Sequence, residues 1–184
     1  GFAIARAARE AGASVTLIAG PVHLETPRGV QRINVQSARQ MLEAVQAHVD
    51  QASVFIATAA VADWRPAAFS DHKLKKDGTG DVPALAFIEN PDILATVAQS
   101  PRAQNGQLYC VGFAAESHDL LHHARAKRIR KSVQLLVANL VGEAMGKATN
   151  HVTLIDDKAE TELPAMGKDQ VAEAIVSRVA ELMP

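Results

Sequence analysis

Short apolar segments rich in β-branched residues alternate along this chain with longer segments whose apolar residues recur at helical spacing. Such an alternation is typical of an α/β fold in which a mainly parallel sheet carries helices on both faces. Strands are predicted at 14–19, 30–35, 53–57, 84–88, 108–113 and 133–138, with a hairpin of 151–155 and 160–163. Helices are predicted at 2–11, 38–49, 118–131 and 169–182, with another beginning at Asn90.

The composition narrows the class of protein. The chain has 184 residues, 48% of them hydrophobic and 21% charged, which is typical of a globular domain. A net charge of −1 argues against a protein that coats nucleic acid. A single cysteine, Cys110, rules out an internal disulfide framework and fits a reducing cytoplasm. No apolar run approaches the roughly 20 residues of a membrane span.

We expect one domain over residues 1–184, because no internal linker or repeat interrupts the pattern. The chain starts at Gly1-Phe2 without Met, inside a helical pattern, so we expect an N-terminally truncated domain. The polar segment 70–82 contains Gly78 and Gly80 and is predicted to be an inserted flap.

The segment 57–76 is the first candidate site. Small residues follow the strand 53–57, and an acid, Asp63, comes next, in the region where open α/β sheets bind ligands. Lys73, with two further lysines, lies in the flap and would bring positive charge to an anion. A solubilising lysine cluster is the ordinary alternative.

Two more segments are expected near the same end of the sheet. In the first, Asn90 is predicted as a helix N-cap and Pro91 as the first helical residue, followed by Asp92, Ile93 and Leu94. The second is 112–116, where small residues precede an acid. Its aromatic residue, Phe113, is either a core ring or a platform for a nucleotide base.

Lys127 and Lys131 are four residues apart, on one side of a predicted helix. Taken alone, such a pair is more often solvated surface than a site. Lys131, however, closes the helix just before a strand, from where it could reach the end of the sheet that holds the other candidates.

Several other patterns are not expected to carry chemistry. The sequence contains no G-x-G-x-x-G dinucleotide fingerprint, and Gly146-Lys147 lacks the residues of a phosphate-binding loop. His118 and His122 are one turn apart but have no further ligand pattern around them. Cys110 lies in an apolar strand and is predicted to be a core residue.

Taken together, the segments AAVADWRP, KLKK, NPDIL, VGFAAE, AKRIRK and AN, after an initial GPV, resemble the phosphopantothenoylcysteine synthetase domain of bacterial coenzyme A biosynthesis, in order and approximate spacing. The resemblance covers essentially the whole chain. It implies a modified Rossmann-like three-layer sandwich, used as a homodimer. The implied reaction joins 4′-phosphopantothenate to cysteine at the expense of CTP, through an acyl-cytidylate.

The resemblance also implies roles for single residues. Lys73 matches the flap lysine that acts in catalysis and contacts the nucleotide. Asp63, Pro91, Asp92, Ile93, Leu94, Phe113, Lys127 and Lys131 match nucleotide-binding positions. Mg²⁺ is implied with CTP, and FMN only if a decarboxylase domain is fused to this one. The family's first strand and phosphate-facing turn would precede Gly1.

Two other functions stay open on the sequence. One is a nucleotide-dependent oxidoreductase on a similar fold, which the absent dinucleotide fingerprint and the lone Tyr109 within a strand disfavour. The other is a nucleotide-binding module without catalytic activity. Binding of CTP, ATP and NADH distinguishes the ligase from the oxidoreductase.

Overall fold

The computed structural model describes residues 1–68, 84–116, 119–140 and 149–183. Its strands are β1 (Thr16–Ala19), β2 (Gln31–Asn34), β3 (Val54–Ala57), β4 (Trp64–Pro66), β5 (Phe87–Glu89), β6 (Tyr109–Glu116), β7 (Leu135–Leu140), β8 (Thr149–Ile155) and β9 (Glu160–Gly167). Its helices are α1 (Phe2–Glu10), α2 (Ala38–Val49), α3 (Ile93–Ala98), α4 (Pro101–Gln104), α5 (Leu120–Lys131) and α6 (Lys168–Leu182).

The central sheet has five strands in the order β3-β6-β7-β8-β9. The strands β3, β6 and β7 are parallel, and the hairpin β8–β9 extends the sheet in antiparallel register. The parallel strands β1 and β2 form a separate pair, and β4 and β5 form an antiparallel ribbon. The predicted α/β class and the predicted hairpin are confirmed.

Side-chain alternation along β6 divides the core between two faces of the sheet. Cys110 and Ala114 belong to a cluster with α2, α3 and α5, whereas Val111 belongs to a cluster with α1 and α6. Because successive residues of a strand point to opposite faces, both sides of the sheet need a helical cover. The result is the expected three-layer arrangement. Cys110 is fully buried, as predicted, and burial raises the pKa of its thiol to about 11.

Local sequence signals account for several helix ends. Ser37 is the N-cap of α2, and its hydroxyl accepts a hydrogen bond from the Gln40 N–H at 3.2 Å. The prediction for α3 was wrong by two residues. Asp92, not Asn90, is the N-cap, and its carboxylate accepts from the Ala95 N–H at 2.9 Å. Asn90 is instead buried and makes tertiary hydrogen bonds.

No helix in the described part of the chain is long and apolar enough to span a membrane.

A buried ion pair fastens the closing helix to the hairpin. The Asp156 side chain is 1% exposed and contacts the Arg178 guanidinium at 2.7 Å. It also accepts hydrogen bonds from the N–H groups of Lys158 and Ala159, at 2.8 and 3.0 Å. Burial alone would raise the pKa of Asp156, but the hydrogen bonds from Arg178 and the two N–H groups hold that pKa below its ordinary value.

Replacing Asp156 with Asn keeps the side chain's size and removes its charge. We expect the free energy of unfolding at neutral pH to fall by about 1.5–3 kcal/mol, the range for hydrogen bonds to charged groups. The stabilisation by Asp156 is present above the ordinary aspartate pKa of about 3.9 and is lost as the pH falls through the lower folded-state pKa. Urea unfolding should therefore show the difference between variant and wild type narrowing in acid, and a difference independent of pH would contradict this assignment.

Candidate functional site

The parallel strands end at different levels, and this makes a step at one end of the sheet. Ala57, the last residue of β3, is paired with Gly112 in the middle of β6. Gly112 is paired in turn with Leu136, near the start of β7. β6 and β7 both continue for four residues beyond this level, whereas β3 ends there. Open α/β sheets bind ligands at such carboxyl ends.

Helix α3 approaches the sheet closely at this step. A Cβ atom on Gly112 would lie 2.8 Å from Leu94 Cδ2 and 3.0 Å from Leu136 Cδ1. Cβ atoms essentially never come as close as 2.8 Å to another atom, so the absence of a side chain at Gly112 lets Leu94 pack directly on β6. Ile93 is 8% exposed and belongs to the same core cluster. Two of the predicted nucleotide-loop residues therefore anchor the loop, while Pro91 and Asp92 are exposed beside it.

Two predicted site residues from separate segments form an ion pair. The ammonium group of Lys131, at the end of α5, contacts the carboxylate of Asp92. The Lys131 side chain is 20% exposed and the Asp92 side chain 44%. The contact agrees with the expectation that the end of α5 approaches the NPDIL segment.

The two lysines of α5 lie on the side of the helix that faces the core. Lys127 and Lys131 lie on the same side of the helix as Leu120, which packs on the core, and Ala124, which is fully buried. We call this side of α5 the inner seam. Both lysines are half-buried, whereas Arg130 is exposed. Among the described residues, Lys127 has no hydrogen-bond or ion-pair partner. A half-buried lysine on this seam can contact a bound anion without any change in the helix.

Asp63 is exposed in the loop that follows β3, which we call the Asp63 loop (residues 58–63). Its carbonyl oxygen accepts a hydrogen bond from the Asn90 N–H at 2.7 Å. The amide of Asn90 also bonds to Ala62 and Arg65. The segments AAVADWRP and NPDIL, separated in sequence, therefore lie side by side. The connecting role of Asn90 was not predicted, because the Asn-Pro-Asp pattern suggested a helix cap.

Phe113 lies on the other face of the sheet. It packs against the cluster formed with α1 and α6, while Asp92, Lys127 and Lys131 belong to the elements that cover the opposite face. The start of α1 lies close to the Asp63 loop, since a Cβ on Gly1 would lie 2.9 Å from Thr58 Oγ1. The structure therefore does not bring Phe113 into contact with the lysines. Only a ligand that straddles the end of the sheet could meet both.

Lys73 and the predicted flap at 70–82 lie outside the described residues, as do His118 and Gly146-Lys147. In the described part of the chain, no three or more His, Cys, Asp or Glu side chains form a cluster that could hold a metal ion. Tyr109 is at the beginning of β6, and burial, together with the charges of Asp156 and Asp157, raises the pKa of its phenol to about 12.

Comparison with known proteins now decides the family. Residues 1–183 match the DNA/pantothenate metabolism flavoprotein C-terminal domain. The chain belongs to this family. It is 40% identical over 186 residues to the coenzyme A biosynthesis bifunctional protein CoaBC of Vibrio cholerae, with 100% of the chain and 46% of that protein covered. It is 42% identical over 187 residues to the CoaBC protein of Bacillus subtilis, with 99% and 45% covered. The chain thus spans about half the length of these relatives.

Solved structures agree with the family assignment. The crystal structure of the C-terminal domain of CoaBC superposes with a TM-score of 0.80 at 32% identity, covering 99% of this chain and 81% of that one. A DNA/pantothenate metabolism flavoprotein from Streptococcus pneumoniae gives a TM-score of 0.78 at 18% identity, covering 98% and 86%. At that identity the second likeness shows the shared fold alone. The modified Rossmann-like fold expected of the family is thereby confirmed.

Proposed function

We propose that this domain is a CTP-dependent ligase that joins 4′-phosphopantothenate to L-cysteine in coenzyme A biosynthesis, in the cytoplasm. The observation that best supports this function is the ion pair of Asp92 and Lys131 beside the Asp63 loop. These residues come from three separate segments that the resemblance assigns to nucleotide binding. Identity of about 40% to coenzyme A biosynthesis proteins supports the same substrate class.

In the proposed first step, a carboxylate oxygen of phosphopantothenate attacks the α-phosphorus of CTP, and pyrophosphate leaves. In the second, the amine of cysteine attacks the activated carbonyl, loses a proton and expels CMP. The first step brings an anionic carboxylate and a polyphosphate together. Positive side chains and fixed geometry are therefore the main contributions that a protein can make.

The described residues suit the phosphate end of the nucleotide. Lys127 offers an ammonium group without a partner in the described part of the chain, and Lys131 lies one turn further along the same seam. The pairing of Lys131 with Asp92 holds its side chain close to the NPDIL segment. We propose that the phosphates of CTP bind along these two lysines. The base would extend past the Asp63 loop toward Phe113.

We propose that Mg²⁺ arrives with CTP. Mg²⁺ in nucleotide sites is commonly held by substrate phosphates together with one or two carboxylates. Asp63 and Asp92 are the exposed carboxylates beside the proposed phosphate path. The ion would neutralise phosphate charge. FMN is expected only of a decarboxylase domain fused to this one.

CTP should bind selectively to the protein that carries this domain, with Mg²⁺ present, and ATP and NADH should bind weakly. Isothermal titration with each nucleotide measures this. Tight NADH binding without a response to CTP would overturn the ligase in favour of the oxidoreductase. Selective CTP binding without pyrophosphate release in the presence of phosphopantothenate would favour the non-catalytic module.

Replacing Lys127 or Lys131 with Ala should weaken CTP binding without unfolding the domain. Each charge-assisted contact contributes about 1.5–3 kcal/mol, which corresponds to roughly a 10- to 100-fold loss of affinity. Arg130→Ala is the matched control, because it removes a positive charge from the exposed side of the same helix. Equal CTP affinity in all three variants would return the lysine pair to ordinary solvated surface.

The proposed flap lysine, Lys73, should act on the reaction more than on nucleotide binding. An ammonium that meets the substrates after closure stabilises charge that develops in the transition state. In Lys73→Gln we expect a modest loss of CTP affinity and a fall in pyrophosphate release of about 100-fold or more. Pyrophosphate release at the normal rate with saturating substrates would remove Lys73 from the mechanism.

We also propose that the domain forms a homodimer through its β4–β5 ribbon. One face of the ribbon, the apolar ribbon face, presents Trp64 at 61% exposure, Phe87 at 55% and, just before β5, Leu85 at 59%, together with exposed Pro66. The exposed Glu89, which pairs with Trp64, is the charged residue on this face. A two-stranded ribbon is only marginally stable alone, and exposed apolar patches mark interaction sites. A second copy would supply an identical apolar ribbon face against which the first could pack.

Phe87→Lys should convert the dimer to a monomer, because it places a charge in the centre of the apolar ribbon face. Sedimentation equilibrium of the variant and the wild type measures the change. Leu121→Lys is a suitable control, since Leu121 is an exposed apolar residue outside the ribbon. A wild-type protein that is monomeric at all concentrations would refute the proposal.

A further inference from the structure

Asn90 is one of three polar or charged residues that are buried in the described part of the chain, with 9% of its surface exposed. A buried amide must satisfy its hydrogen-bonding groups or destabilise the fold. The backbone N–H of Asn90 and both ends of its side-chain amide bond to a single short stretch of the chain. Its backbone N–H donates to the carbonyl of Asp63 at 2.7 Å, and its side-chain Nδ2 donates to the carbonyl of Ala62 at 2.8 Å.

Arg65 completes the network. Its Nη1 donates to Asn90 Oδ1 at 2.8 Å and to the carbonyl of Glu89, also at 2.8 Å. Because a guanidinium only donates, it fixes which end of the Asn90 amide accepts. The NH₂ group is thereby directed at Ala62. We call Asn90 and Arg65, with these contacts, the Asn90 clamp.

The clamp joins two loops that the proposed function needs at a fixed separation. On one side it holds the Asp63 loop through the carbonyls of Ala62 and Asp63. On the other side, Asn90 is two residues before Asp92, which pairs with Lys131. Without the clamp, the described residues would leave the Asp63 loop attached to this segment mainly through the three-residue strands β4 and β5.

Resting on the proposed function, we propose that Asn90, oriented by Arg65, is a positioning residue that sets the distance between the Asp63 loop and the Asp92–Lys131 pair. Asn90 is buried and acts through these residues without touching the nucleotide. A loop displaced by about 1 Å can reduce a reaction rate by about 100-fold, so loss of the clamp should affect the reaction more than the fold.

Asn90→Ala in the protein that carries this domain tests the proposal, with Arg65→Gln as a second variant that opens the clamp from its other side. We expect CTP affinity to fall by roughly 10-fold and pyrophosphate release at saturating substrates by roughly 100-fold. Trp64, the single tryptophan, lies inside the clamped stretch. Its time-resolved fluorescence anisotropy, at one protein concentration, should show increased local motion in both variants before nucleotide is added.

Asp156→Asn is the control for a purely structural effect, because it breaks a buried network on the hairpin and the closing helix. It should lower the melting temperature while leaving CTP affinity and Trp64 anisotropy unchanged. If Asn90→Ala does not fold, Arg65→Gln and Asn90→Asp decide the matter. Asp at position 90 can still accept from Arg65 but cannot donate to Ala62.

The outcomes separate this proposal from the function on which it rests. Wild-type protein that fails to bind CTP overturns both. If the wild type binds CTP and the clamp variants bind it with equal affinity, the clamp proposal alone is overturned. Weakened binding with unchanged Trp64 anisotropy also overturns the clamp, because the loop would not have moved. Weakened binding, slower pyrophosphate release and a mobile Trp64 together support it.

Discussion

The pairing of Ala57 with Gly112 and of Gly112 with Leu136 is the constraint on which the candidate site depends. It ends β3 four residues short of β6 and so creates the step at the end of the sheet. Because Gly112 has no side chain, Leu94 packs directly on β6. That contact places the start of α3, and Asp92 with it, within reach of Lys131. A side chain at position 112 would push against the methyl groups of Leu94 and Leu136.

Much of this architecture could be predicted from the sequence. The β-branched segments and the helical spacing predicted the alternation, and Ser37 predicted the start of α2 to the residue. The prediction failed at Asn90, where two residues with good capping side chains flank a proline. Local propensity favours either one, and only the tertiary partners of Asn90 decide that Asp92 is the cap. The face occupied by Phe113 could not be predicted either, because it depends on the pairing register of β6.

The candidate site combines a rigid part with charged groups that a ligand could reach. Ile93 belongs to the core, Leu94 packs against it, and both ends of the Asn90 side-chain amide are hydrogen-bonded, so the backbone around them is held in place. Lys127, by contrast, keeps its ammonium group without a partner in the described residues. Such a division suits a nucleotide site, in which fixed geometry and available positive charge are needed together. The apolar ribbon face lies on strands that the same clamp joins to the site.

The central claim is that the domain activates a carboxylate by transferring a cytidylyl group to it. An oxygen-transfer experiment measures this most directly. With ¹⁸O in the carboxylate of 4′-phosphopantothenate, unlabelled CTP and cysteine, the expulsion of CMP from the acyl-cytidylate leaves one labelled oxygen on the phosphate of CMP. Mass spectrometry of the products should therefore find CMP that carries one ¹⁸O atom. Product formation with unlabelled CMP would contradict the proposed mechanism.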